Sequence, residues 1–140
     1  MIRYFESGDE RKIAKLEKEC FSSPWSEQAV LDSANSDCVF VLYEDDGIVK
    51  GYAGLQIVLD EGYITNVAVC PSFRHQGIAR ALMEELIKKL DTLSFISLEV
   101  RESNLAAINL YSGLGFKEEG KRKNFYDAPK EDARILTKRR

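Results

Sequence analysis

The stretch Val67-Ala68-Val69-Cys70-Pro71-Ser72-Phe73-Arg74-His75-Gln76-Gly77-Ile78-Ala79-Arg80 runs a strand into a loop, and the loop delivers a glycine to the first turn of an amphipathic helix. The first N–H groups of a helix lack partners within the chain, and the helix dipole is positive there, so such a turn is ready to receive an anion. Gly77, and the small Ala79 after it, let a diphosphate come close to the backbone. Arg74 and Arg80 would favour the same phosphates, although solvated surface charges read identically. His75, the only histidine, has no role beyond lying near the phosphate, with Gln76 between it and the glycine. R-x-x-G-x-A occurs often by chance, and a glycine easing a tight strand-to-helix turn looks the same.

Other residues with chemical potential lie further along. In Phe95 to Val100 the side chains alternate, so Phe95, Ser97 and Glu99 share one face while Ile96, Leu98 and Val100 share the other. Glu99 is thus a carboxylate on a mostly apolar strand, and alternation alone reads it as facing water. Tyr111 follows Ile108 by one helical turn and reads equally well as a half-buried core tyrosine. Asn104 suits the start of that helix as a cap. Phe21, Trp25 and Tyr126 suit either a pocket wall or core packing. Cys20, Cys38 and Cys70 are odd in number and lack C-x-x-C spacing, so neither a disulfide framework nor a metal site is expected.

These side chains need elements to hold them. After a short first strand, Ser7-Gly8-Asp9-Glu10 reads as a helix start, with Ile13, Leu16 and Cys20 at helical spacing. Ser23-Pro24-Trp25 reads as an N-cap with proline at the first helical position, opening a helix to Leu31. Cys38 to Tyr43, the turn Glu44-Asp45-Asp46-Gly47, and Ile48 to Leu59 form a hairpin pattern. A turn at Asp60-Glu61-Gly62 leads into a central strand, Tyr63 to Val69, that stops at Pro71. The helix from Gly77 to Leu90 sets Ile78, Leu82, Leu86 and Leu90 on one face. Phe95 to Val100 is a strand, and Ser103-Asn104 caps a helix to Leu114 that Gly113 and Gly115 stop. Strands around Phe116 to Arg122 and Ala133 to Lys138 flank a loop with Asn124-Phe125-Tyr126. The order β-α-α-β-β-β-α-β-α-β-β predicts an α/β (α+β) fold with a mixed sheet rather than a doubly wound one.

The 140 residues, 44% hydrophobic and without repeats or a Pro/Gly-rich linker, suit a single domain over 1–140. With a net charge of −3, no general attraction to nucleic acid is built in, and Lys138-Arg139-Arg140 reads as a solvated end. No run approaches the roughly 20 apolar residues that span a bilayer, and Met1 to Glu6 lacks a secretory pattern. A cytoplasmic protein with no membrane partner is expected, as a monomer or weak dimer.

The block around Gly77 resembles the coenzyme A loop of the GNAT superfamily of N-acetyltransferases, where R/Q-x-x-G-x-G/A follows a strand reading V-x-P. Ala79 stands where glycine is commoner, and Cys70 where many relatives carry an acidic residue. From Phe21 to Leu136 the resemblance continues through Phe21-x-x-Pro24-Trp25-Ser26, Val58-Leu59-Asp60-Glu61 and Asn66-Val67-Ala68-Val69. It then takes in Leu98-Glu99-Val100-Arg101-x-Ser103-Asn104, Ala107-x-x-Leu110-Tyr111-x-x-Leu114-Gly115-Phe116, Asn124-x-Tyr126 and Glu131-Asp132-Ala133. Together these are similar to the bacterial ribosomal-protein alanine N-acetyltransferases of the RimI type.

That resemblance implies the GNAT fold, a mostly antiparallel central sheet of about six to seven strands flanked by about four helices. It implies acetyl-CoA as cosubstrate, no metal, and a protein N-terminus as acceptor, the alanine of a small-subunit ribosomal protein. Glu99 matches the position the RimI type uses as general base, where partial burial would suit work near neutrality. The match around Tyr111 makes its hydroxyl the proton donor to the departing thiolate. Asn104 would contact the pantetheine arm as well as cap its helix. Val67, Ala68 and Val69 would align that arm like an added strand, an amide N–H near Val69 polarising the thioester carbonyl. Arg74, His75, Gln76, Gly77, Ile78, Ala79 and Arg80 would surround the diphosphate. Phe21, Trp25, Asn66 and Tyr126 would form the acceptor site.

The expected reaction is direct transfer within a ternary complex, with no covalent enzyme intermediate. Lysine side chains, polyamines and other small amines are alternative acceptors, and they would call for an acidic cleft. A non-catalytic acetyl-CoA sensor or ribosome-associated module would have lost Glu99 or Tyr111, and both are present. An RNA-binding module is disfavoured by the charge and by the lack of a basic, aromatic-studded strand pair.

Overall fold

Period-two alternation from Val39 to Tyr43 sends Phe40 and Leu42 to one side of a sheet and Val39, Val41 and Tyr43 to the other, so both faces need a cover. In the computed structural model, which describes residues 1–140, the chain supplies it. The elements are β1 (Ile2–Tyr4), α1 (Asp9–Cys20), α2 (Glu27–Ala34), β2 (Cys38–Asp45), β3 (Ile48–Val58), β4 (Glu61–Val69), α3 (Ile78–Ile87), β5 (Phe95–Arg101), α4 (Leu105–Gly113), β6 (Lys117–Tyr126) and β7 (Glu131–Arg139). This is the expected order, and the seven strands join in one sheet, β1-β2-β3-β4-β5-β7-β6. Only β4 and β5 pair parallel.

On one face α1 and α2 bury Ile13, Leu16 and Val30 against Phe40, Leu42, Tyr52 and Ala68. On the other, Ile78, Leu82, Leu86 and Leu90 form the apolar stripe read from the sequence, packed with Met83 against Val41, Ala53, Leu55, Ile96 and Leu98. The stripe begins in α3 and ends in a 3-10 turn, Lys88–Asp91, so the helix stops three residues short of Leu90 while Leu90 stays buried. Arg3 ties β1 to the start of α1 through Asp9, whose carboxylate takes both guanidinium nitrogens at 2.7 and 2.9 Å.

Several boundaries differ from the sequence reading. The second helix starts at Glu27, not beside Pro24: Ser26 is extended and its hydroxyl accepts from the Ala29 N–H. The Trp25 N–H is taken by the Glu17 carboxylate, which keeps the preceding segment out of the helix. The hairpin turn sits at Leu59 and Asp60, so Glu61 and Gly62 belong to β4. Asn124, Phe125 and Tyr126 lie within β6, where the ladder skips from Arg122–Ala133 to Tyr126–Glu131 and Asn124 takes a left-handed φ of 54°.

Candidate active site

The parallel pairing of β4 with β5 covers only Glu61–Tyr63 against Phe95–Ser97. Beyond it the strands part, leaving the facing main-chain edge of β4 without a strand partner. The cause is local. On the other edge of β4 the register with β3 jumps from Ala53–Val67 to Leu55–Ile64, so Thr65 and Asn66 together oppose Gly54. Such a bulge bends and twists the strand that carries it. Gly54 is what lets the bulge close, since a Cβ there would collide with Thr65 Oγ1 and lie 2.8 Å from the Phe40 ring.

The wedge between the strands is a cavity of about 720 Å³. Eight of the residues singled out from sequence line it: Phe21, Trp25, Asn66, Val67, Glu99, Asn104, Tyr111 and Tyr126. Asn104 caps α4 through its side-chain oxygen, which accepts the Ala107 N–H at 3.2 Å, leaving its amide nitrogen for the cavity. Trp25 fulfils both readings: it borders the cavity and meets Phe40 edge-on at 6.4 Å. Tyr126 lies beneath the Arg101 guanidinium, 4.3 Å from ring centre to carbon, on the opposite rim.

The Glu99 side chain, 31% exposed, opens to solvent at the cavity mouth because neither α1 nor α2 reaches the β5 end of the sheet, and it pairs with Arg122 at 3.3 Å. Tyr111 is buried, 8% exposed, beside Phe116. Burial first, and Tyr126 second, push its phenol up to about 12, so it keeps its proton throughout the neutral range. Burial also raises the Tyr126 phenol, with the nearby Glu99 charge next in effect. Glu99, Tyr126 and Tyr111 are therefore electrostatic neighbours around one space.

The loop at Gly77 does not border this cavity; it lies past the C-terminal end of β4. His75 and Gly77 both adopt left-handed φ angles, 64° and 78°. Gly77 is the N-cap of α3, whose first turn has neither a capping side chain nor an acidic residue, whereas α2 has both and α4 has a capping side chain. The N–H groups of Ile78, Ala79 and Arg80 precede the first intrahelical bond, Ala81 N–H to the Gly77 carbonyl, and a Cβ at Gly77 would meet nothing within 4 Å. A diphosphate fits that open, positively polarised turn.

The side chains around it contribute less than expected. Arg74 folds back, its Nε donating to the Val69 carbonyl at 3.1 Å, and Arg80 pairs with Glu84 at 3.7 Å. Ile78 is a core residue and offers only its main-chain N–H, and the main-chain groups of Ala68, also in the core, face Tyr52 on β3 rather than the open edge. His75 and Gln76 are exposed.

Two features escaped the sequence reading. One is the bulge with its facing Gly54. The other is Glu17, buried at 1% exposure in the cavity wall and accepting from Trp25, Tyr52 and Asn66. A readable sign existed: Glu17 falls four residues after Ile13, on the apolar face of α1. The cysteines are all free, and burial pushes the Cys38 thiol up to about 11. Cys20 borders the cavity, but burial raises its thiol as well.

Residues 11–116 match the Acetyltransferase (GNAT) family. The chain is 36% identical to the [ribosomal protein bS18]-alanine N-acetyltransferase of Escherichia coli, over 96% of this chain and 94% of that one. The protein of that name from Salmonella typhimurium is 37% identical over 87% of this chain and 85% of its own. The crystal structure of the Escherichia coli ribosomal-protein-S18-alanine N-acetyltransferase superposes with a TM-score of 0.92 at 34% identity, covering 99% of this chain and 92% of that one.

Proposed function

The chain belongs to the acetyltransferase (GNAT) family, and from that premise we propose that it transfers the acetyl group of acetyl-CoA to the α-amino group of an N-terminal alanine. The acceptor in this reading is a small-subunit ribosomal protein of the bS18 kind, modified by a single-domain cytoplasmic enzyme that acts as a monomer or weak dimer, without nucleic acid or membrane. The observation that carries it is a cavity opened by two parting strands and lined by both Glu99 and Tyr111. The named activity of relatives that match nearly the full chain supplies the acceptor.

The division of labour follows from position. Acetyl-CoA supplies an activated thioester. The free edge of β4 at Val67 to Val69 holds the pantetheine arm by main-chain hydrogen bonds, and the uncapped start of α3 binds the diphosphate. An α-amino group, with a pKa of about 7.7 to 8.0, arrives partly protonated. Glu99, reachable from solvent at the rim, removes that proton directly or through water. Tyr111, deep in the wedge and protonated, donates to the departing sulfur. Trp25, Phe21 and Asn66 on one rim and Tyr126 on the other enclose the first acceptor residue. The mouth balances Glu99 with Arg122 and sets Arg101 beside the rim, which suits a peptide end better than a polyamine.

The test is thiol release from acetyl-CoA with an alanine-starting peptide, set beside the same peptide α-blocked and carrying a free lysine. Release with the first alone is expected; release with the blocked peptide alone overturns the acceptor assignment.

A further inference from the structure

Glu17 sits in the last turn of α1, where the helix dipole disfavours negative charge, and it has no cationic partner. A carboxylate taken out of water there is costly unless its lone pairs are filled. They are filled from three separate elements. Oε1 accepts the Trp25 main-chain N–H at 3.0 Å; Oε2 accepts the Tyr52 hydroxyl at 2.6 Å and the Asn66 side-chain amide at 2.8 Å. Tyr52 anchors the carboxylate to β3, while Trp25 and Asn66 both face the cavity.

Apart from the packing of the Trp25 ring against Phe40, the loop between α1 and α2 has few other anchors. Among residues 22–25 the Trp25 N–H is the one main-chain donor with a partner, and Ser22, Ser23 and Pro24 are exposed. Resting on the reading of this cavity as the acceptor site, we propose that Glu17 is a positioning residue for the acceptor. Its carboxylate locks the Trp25 loop to the Asn66 bulge, fixes the gap between them, and thereby sets how tightly the acceptor's first residue is held. It touches no reacting atom, and the acetyl-CoA side of the wedge, along Val67 to Gly77, does not depend on it.

Glu17→Gln keeps the shape but turns one acceptor oxygen into a donor facing other donors. In steady-state assays of the full chain with an alanine-starting peptide, the acceptor KM should rise roughly tenfold, with kcat and the acetyl-CoA KM within about twofold. Trp25 is the only tryptophan, so its fluorescence reports the loop directly and should become about two- to threefold easier to quench with acrylamide once the main-chain anchor is lost. Tyr52→Phe removes one donor and keeps the charge; it should raise the acceptor KM about two- to threefold, and it decides the matter if Glu17→Gln does not fold. Glu19→Gln, on the exposed face of the same helix, should change nothing. A folded Glu17→Gln with wild-type acceptor KM and wild-type quenching overturns the proposal, as does a loss confined to kcat or to the acetyl-CoA KM. If the wild-type chain does not acetylate the peptide at all, the acceptor reading fails instead, and quenching of Trp25 still decides whether Glu17 holds the loop.

Discussion

The Glu99 carboxylate on β5 lies 3.3 Å from the Arg122 guanidinium on β6, reaching across the intervening β7. Both side chains are solvent-accessible, 31% and 57%, so the pair is weakly held and screened. In the proposed reaction an ammonium approaching Glu99 must share the carboxylate with this guanidinium or displace it.

Arg122→Gln removes the competitor. The acceptor KM should fall about two- to threefold at low salt, kcat should hardly change, and the difference should shrink as salt is added. Peptide titrations at two ionic strengths check this; a raised KM would mean that Arg122 aids acceptor binding.

Tyr111→Phe deletes a hydroxyl with no side-chain hydrogen-bond partner in the folded chain, so stability at neutral pH should move by less than about 0.5 kcal/mol while kcat drops roughly 100-fold. The alkaline limb supplies a second check. The phenol's folded value, about 12, lies above the ordinary 10.0. Its contribution is therefore complete below pH 10 and is lost as pH rises toward 12. Alkaline melting curves should show a shallower decline for Tyr111→Phe than for the wild type.

Gly54→Ala tests the bulge. The added methyl collides with Thr65 Oγ1 and the Phe40 ring, so the variant should lose about 1 to 3 kcal/mol in denaturant titrations. Any folded protein should show lower kcat as well, since straightening β4 narrows the wedge.

Asp9 should govern the acid limb of stability. Burial pushes its carboxyl up, but Arg3 and the Glu6 N–H outweigh burial and hold it below 3.8. Its stabilisation is thus present above pH 4 and lost as pH falls through the lower folded value. Asp9→Asn should cost about 2 kcal/mol at pH 7, and its stability should fall less than the wild type's between pH 5 and 3.

Elements whose periodicity belongs to one segment were legible in the chain itself. The stripe Ile78, Leu82, Leu86 and Leu90 identifies α3 and its buried face, and the alternation in Phe95 to Val100 puts Glu99 opposite Leu98 and Val100, as found. Gly77 announces the uncapped helix start. Features that depend on a distant partner were not legible. The bulge at Thr65 and Asn66 exists only relative to Gly54 on another strand, and nothing local marks it. The start of α2 moved because Glu17, eight residues earlier, captured the Trp25 N–H in competition with a Ser23 cap. Arg74 and Arg80 look like phosphate ligands by type, but a free carbonyl at Val69 and a carboxylate at Glu84 lie closer to hand.

In the proposed reaction the carboxylate of Glu99 takes the proton from an amine poised in the wedge above Tyr111. Its most direct test is kcat for Glu99→Gln at saturating acetyl-CoA and peptide, followed across pH. A fall of roughly 100- to 10,000-fold near neutrality is expected, with a residual rate that climbs as the amine loses its own proton in solution. A folded Glu99→Gln that turns over at the wild-type rate, with the wild-type pH profile, would contradict it.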